Sequence, residues 1–427
     1  MNSIQALLFI GLKNTDMNNY LLKTTKKFNS LFKAKPSYIA RAPGRAEIIG
    51  NHTDYNFGYA LGAAISQSSF TAVSMRNDDQ IALYSANFDQ KIHTFTISDI
   101  DRKRGIHWTN YVKAVSVELA RLKPFKHGFN MYIQSDVPSS GGVSSSASLE
   151  LSVGLSLLEL YKIDLSMLEL AILCQRAENG PLVGSPCGFL DQGTSALSKK
   201  DNLLYLDFLP QDDMPVSKTD YIPVSLTKHG LSFLIAVDKK VKRNLGESEY
   251  PKRRRMCEES LPVLSQLLGR RVRSLREIKG QDFRMVRDKL EKKDSTMRKR
   301  VEHIVTENKR VQDSAQALIN NDMVHFGKLL TESGNSALTL YELDEGTPEL
   351  TFLLTSVRTK NGVLGARNMG GGFSANILLL IKNSCLERMQ DELLSLYKNK
   401  YGNNLTFIHF LPEDGAKIIY TQFSNVL

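Results

Sequence analysis

The sequence has little of what membrane-spanning and secreted proteins need. No run of apolar residues approaches the roughly 20 that cross a bilayer. The short apolar segment 6–11 has neither a basic flank nor a small-residue cleavage site. Only four cysteines are present, without the spacing of a disulfide framework or a metal site. We therefore expect a cytoplasmic protein that has no membrane partner.

Acidic residues are outnumbered, with 45 Asp and Glu against 55 Lys and Arg, so the formal net charge is +10. Such an excess invites a nucleic-acid partner, but no zinc finger, RNA-recognition signature or basic zipper accompanies it. The densest basic runs, 252–255 and 270–273, lie in helical patterns, the first of them among glutamates. We therefore expect no nucleic-acid partner and interpret these runs as solvated helical faces or as a general attraction for anionic small molecules.

The sequence does have the composition of a globular protein, with 42% hydrophobic and 23% charged residues. A length of 427 residues suits about two or three domains. A polar, proline-bounded segment at 210–215 separates a predicted strand at 203–208 from a predicted buried strand at 231–238. We place the boundary there, with predicted domains at 1–212 and 213–427.

A glycine- and serine-rich loop at 138–147 has the form of an anion site, although it matches neither standard nucleotide-binding fingerprint. The alternating run 129–134 before it predicts a strand, and the apolar residues after it, at helical spacing, predict a buried helix that begins at the serines. A strand, a glycine turn and a helix N-terminus together present free N–H groups to a phosphate. The alternative is an ordinary turn with serine N-caps.

A second polar stretch lies at 45–58, after a predicted strand at 37–40 that Ala42, Pro43 and Gly44 interrupt. Several donors and acceptors held close together are what the hydroxyls of a sugar require. The alternative is a polar surface loop whose Asp and Asn residues make turns. The chemistry-bearing residues of this stretch are Arg45, Glu47, His52, Asp54 and Asn56.

Several segments, in the right order, resemble motifs of the galactokinase family within the GHMP superfamily of small-molecule kinases. Residues 45–58 resemble the signature G-R-[VAI]-N-L-I-G-E-H-T-D-Y-N-x-G, and 138–147 resemble the ATP motif P-x-x-x-G-L-S-S-S-A. Further similarities are 108–113 to W-x-N-Y-[VI]-K, 186–192 to P-C-G-[IL]-M-D-Q, 242–259 to a galactokinase-specific segment, and 362–373 to the third GHMP motif.

The resemblance implies an α+β fold, the two-domain GHMP kinase architecture. Its N-terminal domain is ribosomal protein S5 domain 2-like, its C-terminal domain is ferredoxin-like, and the active site lies in the cleft between them. The implied reaction is the ATP-dependent phosphorylation of the C1 hydroxyl of galactose. We expect the sugar and ATP as small-molecule partners, and a monomer or weak homo-oligomer.

The resemblance also assigns residues. Asp191 and Arg45 are implied as the catalytic pair, with Asp191 either removing the C1 proton or orienting the hydroxyl. Mg²⁺ is implied at Glu178 together with Ser145 or Ser146. The implied substrate-binding residues are Asn51, His52, Asp54, Gly188, Asp191 and Tyr250. The implied ATP-binding residues are Trp108, Tyr111, Ser139, Ser140, Gly141, Gly142, Val143, Ser144, Ser145, Ser146 and Ala147.

Departures from the family's pattern keep two alternatives open. Asn51 stands where the pattern has a glutamate that meets the C6 hydroxyl in relatives, so a negative charge is removed and a uronic acid such as galacturonate becomes an alternative substrate. Ser374-Ala375-Asn376 replaces a Gly-Gly, and 340–350 departs from the usual segment. A non-catalytic sugar sensor is the other alternative, which the complete serine loop disfavours.

Overall fold

The chain folds around two β-sheets, seen here in a computed structural model. The structure describes residues 14–103, 105, 107–139, 141–212, 214–241, 250–372 and 374–422. The predicted ATP-loop residue Ser140 and the segment 242–249 of the galactokinase-like motif lie outside the described residues. Helices and strands are both abundant, which confirms the α+β class.

The first sheet joins eight of the described strands in the order β12-β1-β2-β5-β3-β4, with β6 paired to β2 and β7 to β6. All neighbours are antiparallel except β3 and β5. The strands are β1 (Tyr38–Ile49), β2 (Tyr59–Met75), β3 (Gln80–Ser85), β4 (Ile92–Thr96), β5 (Phe129–Ser135), β6 (Asn202–Asp207), β7 (Lys218–Pro223) and β12 (Lys417–Thr421).

The predicted interruption at Pro43 is wrong, because β1 runs through it without ending. Proline has no N–H to give to the ladder, and the pairing with β2 shifts register between Pro43 and Arg45 instead of stopping. The backbone N–H of Arg45 turns away to the carbonyl of Val143, at 3.0 Å. This bulge ties β1 to the glycine-serine loop and places Arg45 beside it.

Helices pack on both faces of the first sheet: the first helix covers part of one face, and the next four pack on the other. Among these four, α3 (Ser145–Tyr161) is buried on almost every side. Its many buried leucines explain why it begins directly after the serine-rich loop, as the sequence predicts. The helix after it starts at a capping box, in which Ser166 and Glu169 satisfy each other's backbone N–H groups. The helices of this half are α1 (Asn14–Phe32), α2 (Thr109–Leu122), α3 (Ser145–Tyr161), α4 (Met167–Asn179) and α5 (Leu190–Leu197).

The second sheet is antiparallel, in the order β11-β8-β10-β9. In β8, Leu234 and Ala236 pack with helices, whereas Phe233 and Ile235 share a cluster with β1 and β2. Its elements are β8 (Leu231–Val237), α6 (Tyr250–Leu268), α7 (Gly280–Lys293), α8 (Ser295–Ile319), α9 (Met323–Thr339), α10 (Pro348–Val357), β9 (Val363–Asn368), β10 (Asn376–Lys382), α11 (Leu386–Tyr401) and β11 (Thr406–Phe410).

The two halves of the chain are interwoven. Strands β7 and β12 lie beyond residue 212 yet complete the first sheet, so the division at 212/213 stays a prediction. None of the helices in the described ranges combines the length and apolar character of a bilayer span. The cleft between the sheets is lined by β1, the loop before α3, the start of α5 and the loop before β10.

Candidate active site

Arg45 and Asp191, the implied catalytic pair, are in direct contact. Arg45 projects from the bulge in β1, and its Nε and Nη2 lie 2.9 and 2.5 Å from Oδ1 of Asp191, in the first turn of α5. The Arg45 side chain is 6% exposed and that of Asp191 27% exposed. A buried guanidinium therefore holds a carboxylate that still opens into the cleft, which keeps that carboxylate an acceptor.

Ser144 contacts the same aspartate, which the sequence does not indicate. Its Oγ donates to Oδ2 of Asp191 at 2.5 Å. Ser144 has φ 57, in the left-handed region, and its side chain makes no capping bond to α3. A non-glycine residue in that region is strained, and here the conformation turns the hydroxyl toward Asp191. Both carboxylate oxygens thus have a donor.

The glycine-serine loop lines the cleft, and its backbone adopts conformations that require glycine. Gly142 has φ +66, and a Cβ there would lie 2.6 Å from Nδ2 of Asn376. The carbonyl of Gly142 accepts a hydrogen bond from Arg45, and that of Gly141 accepts one from Asn376 at 3.0 Å. The structure brings the loop, the catalytic pair and the strand β10 together at one place.

Glu178 lies behind the loop, where Ser146 hydrogen-bonds to its carboxylate. Gln192 donates from Nε2 to Glu178 at 2.6 Å and to Glu150 at 3.0 Å. Burial and the nearby Asp191 raise the pKa of Glu178. A carboxylate and a hydroxyl are ligands that Mg²⁺ takes when phosphates and water fill its other positions, so this donor set fits the ion.

A longer groove runs from the serines toward Trp108 and Tyr111. It has a volume of about 790 Å³, and Ser139, Ser145 and Ser146 line its inner end. Phe88 is 51% exposed, and its ring lies parallel to that of Trp108, with centroids 5.8 Å apart. Such a size suits a nucleoside better than a single sugar ring.

On the other side of Asp191 lies a smaller pocket of about 100 Å³, lined by Asn51, His52, Asp54, Gly188 and Tyr250. A Cβ on Gly188 would lie 2.0 Å from Oδ2 of Asp54, so only glycine lets that carboxylate occupy the wall. Burial raises the pKa of Asp54 to about 6, and the neighbouring Glu47 and Asp191 add to the effect. The implied sugar-binding residues therefore share one compact polar pocket.

His52 is neutral and fixed in orientation. Burial, followed by repulsion from His303, lowers the pKa of His52 to about 3. Its Nε2 lies 3.1 Å from the carbonyl of Gly371, so Nε2 carries the proton and donates. Nδ1 then accepts the hydroxyl proton of Tyr55 at 2.8 Å. The ring also lies 5.2 Å from that of Tyr250, so it positions an aromatic wall of the pocket.

Comparison with known proteins agrees with this geometry. The galactokinase galactose-binding signature matches residues 26–75, and the GHMP kinases N-terminal domain matches residues 110–199. The galactokinase of Thermotoga petrophila is 34% identical over 383 residues, which covers 89% of this chain and 99% of that one. The chain belongs to the galactokinase family. It is a galactokinase-like sugar kinase with ATP as co-substrate.

Other relatives of the family are similar over the same span. The galactokinase of Clostridium acetobutylicum is 32% identical over 396 residues, 92% of this chain and 98% of its own. The crystal structure of Lactococcus lactis galactokinase complexed with galactose superposes with a TM-score of 0.82, at 30% identity, over 93% of this chain and 99% of that one. A mevalonate kinase, with TM-score 0.58 and 18% identity, shows only the shared fold.

The structure corrects the expectation that Asn51 removes charge from the galactokinase-like pocket. The family's pattern has asparagine at the position of Glu47 and glutamate at that of Asn51, so this chain carries the pair exchanged. Glu47 lines the pocket, and its Oε1 accepts from Asn51 at 3.1 Å and from Arg367 at 2.8 Å. The pocket therefore keeps a carboxyl group, which stands on β1 at position 47 instead of in the turn at position 51.

The side-chain amide of Asn51 makes its hydrogen bonds to other groups of the protein. Its Nδ2 also donates to the carbonyl of Gly370 at 2.5 Å, and its Oδ1 accepts from Asn368 at 3.3 Å. Asn51 is buried at the wall of the smaller pocket, where it connects Glu47 to the glycine-rich loop before β10. The site residues that the sequence reasoning did not assign are Glu47, Phe88, Glu150, Gln192 and Asn376. Three of them carried a signal in the sequence: Glu47 lies in the polar stretch 45–58, Gln192 ends the motif at 186–192, and Asn376 belongs to the departure at 374–376.

Proposed function

We propose that this enzyme transfers the γ-phosphoryl group of ATP to the C1 hydroxyl of galactose, giving galactose 1-phosphate and ADP. The proposal rests on one observation: Arg45 and Asp191 line both the smaller pocket and the pocket beside the glycine-serine loop. An acceptor in the first and a triphosphate in the second would meet at this pair.

In the proposed step, the C1 oxygen forms a bond to the γ-phosphorus while the bond to the β–γ bridging oxygen breaks. The hydroxyl proton passes to Asp191, or stays hydrogen-bonded to it until late in the reaction. Arg45 lies within reach of the charge on the transferring group and stabilises it. Phosphoryl transfer has a loose transition state, so holding the groups in line supplies much of the rate.

Glu178 and Ser146 are the residues we propose to hold Mg²⁺, since the contact between them brings a carboxylate and a hydroxyl together. The ion would neutralise charge on the β- and γ-phosphates. Trp108, Tyr111 and Phe88 would hold the adenosine in the long groove, and the N–H groups at the start of α3 would face the phosphates.

Charge supports a neutral sugar over a uronic acid. Three carboxyl groups, those of Glu47, Asp54 and Asp191, line the smaller pocket, with Arg45 as the one guanidinium among its described lining residues. Arg45 is already paired with Asp191, and Arg367, which does not line the pocket, is paired with Glu47. A sugar carboxylate would add a fourth acid to a poorly solvated pocket, which is unfavourable. The hydroxyl groups of galactose can instead donate to these acids.

The remaining proposals concern the setting of the enzyme. All four cysteines lie in the described part of the chain and none forms a disulfide, which supports a cytoplasmic location. The basic residue Arg253 is buried and pairs with Glu345, which supports a structural role for the basic run at 252–255 in place of nucleic-acid binding. We propose a monomer or weak homo-oligomer.

A panel of sugars tests the proposed acceptor. Purified enzyme with ATP and Mg²⁺ is offered galactose, glucose, N-acetylgalactosamine and galacturonate, and ADP release is followed. We expect galactose to have the highest kcat/KM, with galacturonate at least a hundredfold below it. A preference for galacturonate, or equal turnover of both, overturns the assignment of the acceptor.

A further inference from the structure

Two histidines and an aspartate meet at the mouth of the long groove, outside the residues used above. Asp89 lies between β3 and β4, His93 lies on β4, and His107 lies two residues before α2. Oδ2 of Asp89 is 2.6 Å from Nε2 of His93 and 3.7 Å from Nε2 of His107. One ligand atom from each residue lies within 4.8 Å of the other two.

We propose that Asp89, His93 and His107 bind a divalent transition-metal ion of the Zn²⁺, Co²⁺ or Ni²⁺ class. Imidazole nitrogens select these ions over Mg²⁺ and Ca²⁺, which prefer oxygen. Three protein ligands with one open position is a common arrangement for Zn²⁺, with bonds of about 2.0–2.2 Å. Shifts of about 1 Å in these partly exposed side chains would place all three ligand atoms at that distance from one ion.

The hydrogen bonds around His107 suit a metal ligand. Its Nδ1 accepts the backbone N–H of Thr109 at 3.3 Å and lies 2.7 Å from Oγ1 of the same residue, so the ring is held with Nε2 on the side of Asp89. Metal-bound histidines are commonly held in orientation by a contact at their second ring nitrogen, and Thr109 supplies that contact here. The side chains of His93, Asp89 and His107 are 16%, 34% and 27% exposed, so an ion can enter from solvent and keep a water ligand.

The position gives such an ion a structural consequence. Its ligands come from the β3–β4 hairpin and from the approach to α2, and these two segments carry Phe88 and Trp108, the parallel rings of the groove. A bound ion would tie the hairpin to the helix and fix the spacing of the rings. The ion would therefore have a structural role beside the proposed adenosine groove, and it would take no part in phosphoryl transfer.

The single tryptophan of the chain reports on the site directly. The centroid of Trp108 lies 5.7 Å from that of His93 and 5.8 Å from that of His107, and Co²⁺ or Ni²⁺ at this distance quenches indole fluorescence. The experiment titrates Co²⁺ into tag-free, full-length enzyme without nucleotide, and then displaces it with diamagnetic Zn²⁺. We expect saturable quenching by one ion per chain and recovery of fluorescence on adding Zn²⁺.

Variants decide whether the quenching comes from this site. His93→Gln and His107→Gln should each raise the midpoint for Co²⁺ at least tenfold, while His325→Gln, an exposed histidine on α9, should leave it unchanged. Asp89→Asn is the further test if a histidine variant does not fold, as judged by circular dichroism. Quenching that does not saturate, or that all of these variants retain, shows adventitious binding only and overturns the proposal.

Discussion

At the scale of single residues, the proposed role of Asp191 rests on two donors that hold its two carboxylate oxygens in place. Arg45 and Ser144 fix the carboxylate from two sides. In Asp191→Asn the amide oxygen can still accept from Arg45, and the amide N–H can donate to Oγ of Ser144. Asp191→Asn therefore should keep the fold and ATP binding within about twofold, while kcat falls by about 10²–10⁴, the range of a positioned proton acceptor. Steady-state kinetics and ATP titration measure the two effects.

Asp220→Asn is the matched control, since Asp220 lies on β7 in an exposed pair with Lys218. This substitution should change neither kcat nor ATP affinity, because an exposed ion pair contributes little to stability. If Asp191→Asn turns over within a few-fold of the unsubstituted enzyme, Asp191 has no part in the proton's path.

The exchanged pair of Glu47 and Asn51 predicts strong coupling between two positions. Asn51→Glu alone would place a second carboxylate against Glu47 in a buried pocket, and should destabilise the fold by about 2–4 kcal/mol. Adding Glu47→Asn restores the family's arrangement and should recover at least 1 kcal/mol of that loss, a typical coupling for residues in contact. Urea unfolding of the two single variants and the double variant measures this; strict additivity would contradict the contact.

The raised pKa of Asp54 predicts that the free energy of unfolding depends on pH. Its pKa is raised from 3.8 to about 6 in the folded protein, so the folded state binds a proton more tightly than the unfolded chain. The group therefore favours folding below pH 3.8, and this contribution is lost as pH rises toward about 6. Asp54→Asn removes the charge, so it should stabilise the protein above that window.

The difference between two pH values isolates the effect. The gain in unfolding free energy from Asp54→Asn should be larger at pH 8 than at pH 5 by about 1 kcal/mol, measured by urea titration. Sugar turnover should fall in the same variant, since stabilising a polar binding site commonly costs function. An equal gain at both pH values would show that the carboxyl group is not perturbed.

At the scale of elements, the loop before α3 depends on glycine for two separable reasons. Gly142→Ala would suffer both its positive φ and a collision of the new Cβ with Asn376, so ATP affinity should fall at least tenfold. Gly184→Ala is the control, because Gly184 has φ +74 but nothing within 4 Å. It should cost only about 1 kcal/mol of stability and leave ATP binding unchanged. Equal ATP affinities in both variants would remove the loop from the nucleotide site.

Local pattern predicts the elements around this loop well. The alternation of 129–134 and the leucine spacing after the serines are short-range signals, and β5 and α3 follow them. The interruption expected at Pro43 fails because a proline removes one ladder bond, while the neighbouring strand β2 can shift register past it. That accommodation depends on a partner strand, which local reasoning about Pro43 does not include.

At the scale of the whole molecule, the sequence predicts the site residues that belong to motifs. It does not predict the contacts between segments that are distant in the chain. Arg45 and Asp191, far apart in sequence, were paired by their motifs, and the structure brings them together. The contacts of Glu47 with Arg367 and of Asn376 with Gly141 join opposite halves of the chain. No periodicity or spacing reports such contacts, because they depend on how the two sheets are packed.

The interwoven sheets also explain why the acceptor and phosphate pockets share a wall. Strand β1 of the first sheet supplies Arg45, while the loop before β10 of the second supplies Gly370 and Gly371 to both pockets. In the proposed function, this single cleft presents the sugar and the triphosphate to one another across Asp191.

The position of the new phosphoester tests that claim most directly. The product from galactose, ATP and Mg²⁺ is examined by ³¹P and ¹H NMR, and the coupling between phosphorus and the sugar protons identifies the carbon that carries phosphate. The proposed geometry predicts coupling to the anomeric proton alone, with ADP formed in equal amount. Phosphate on C6 or any other carbon, or ADP without a sugar phosphate, would contradict it.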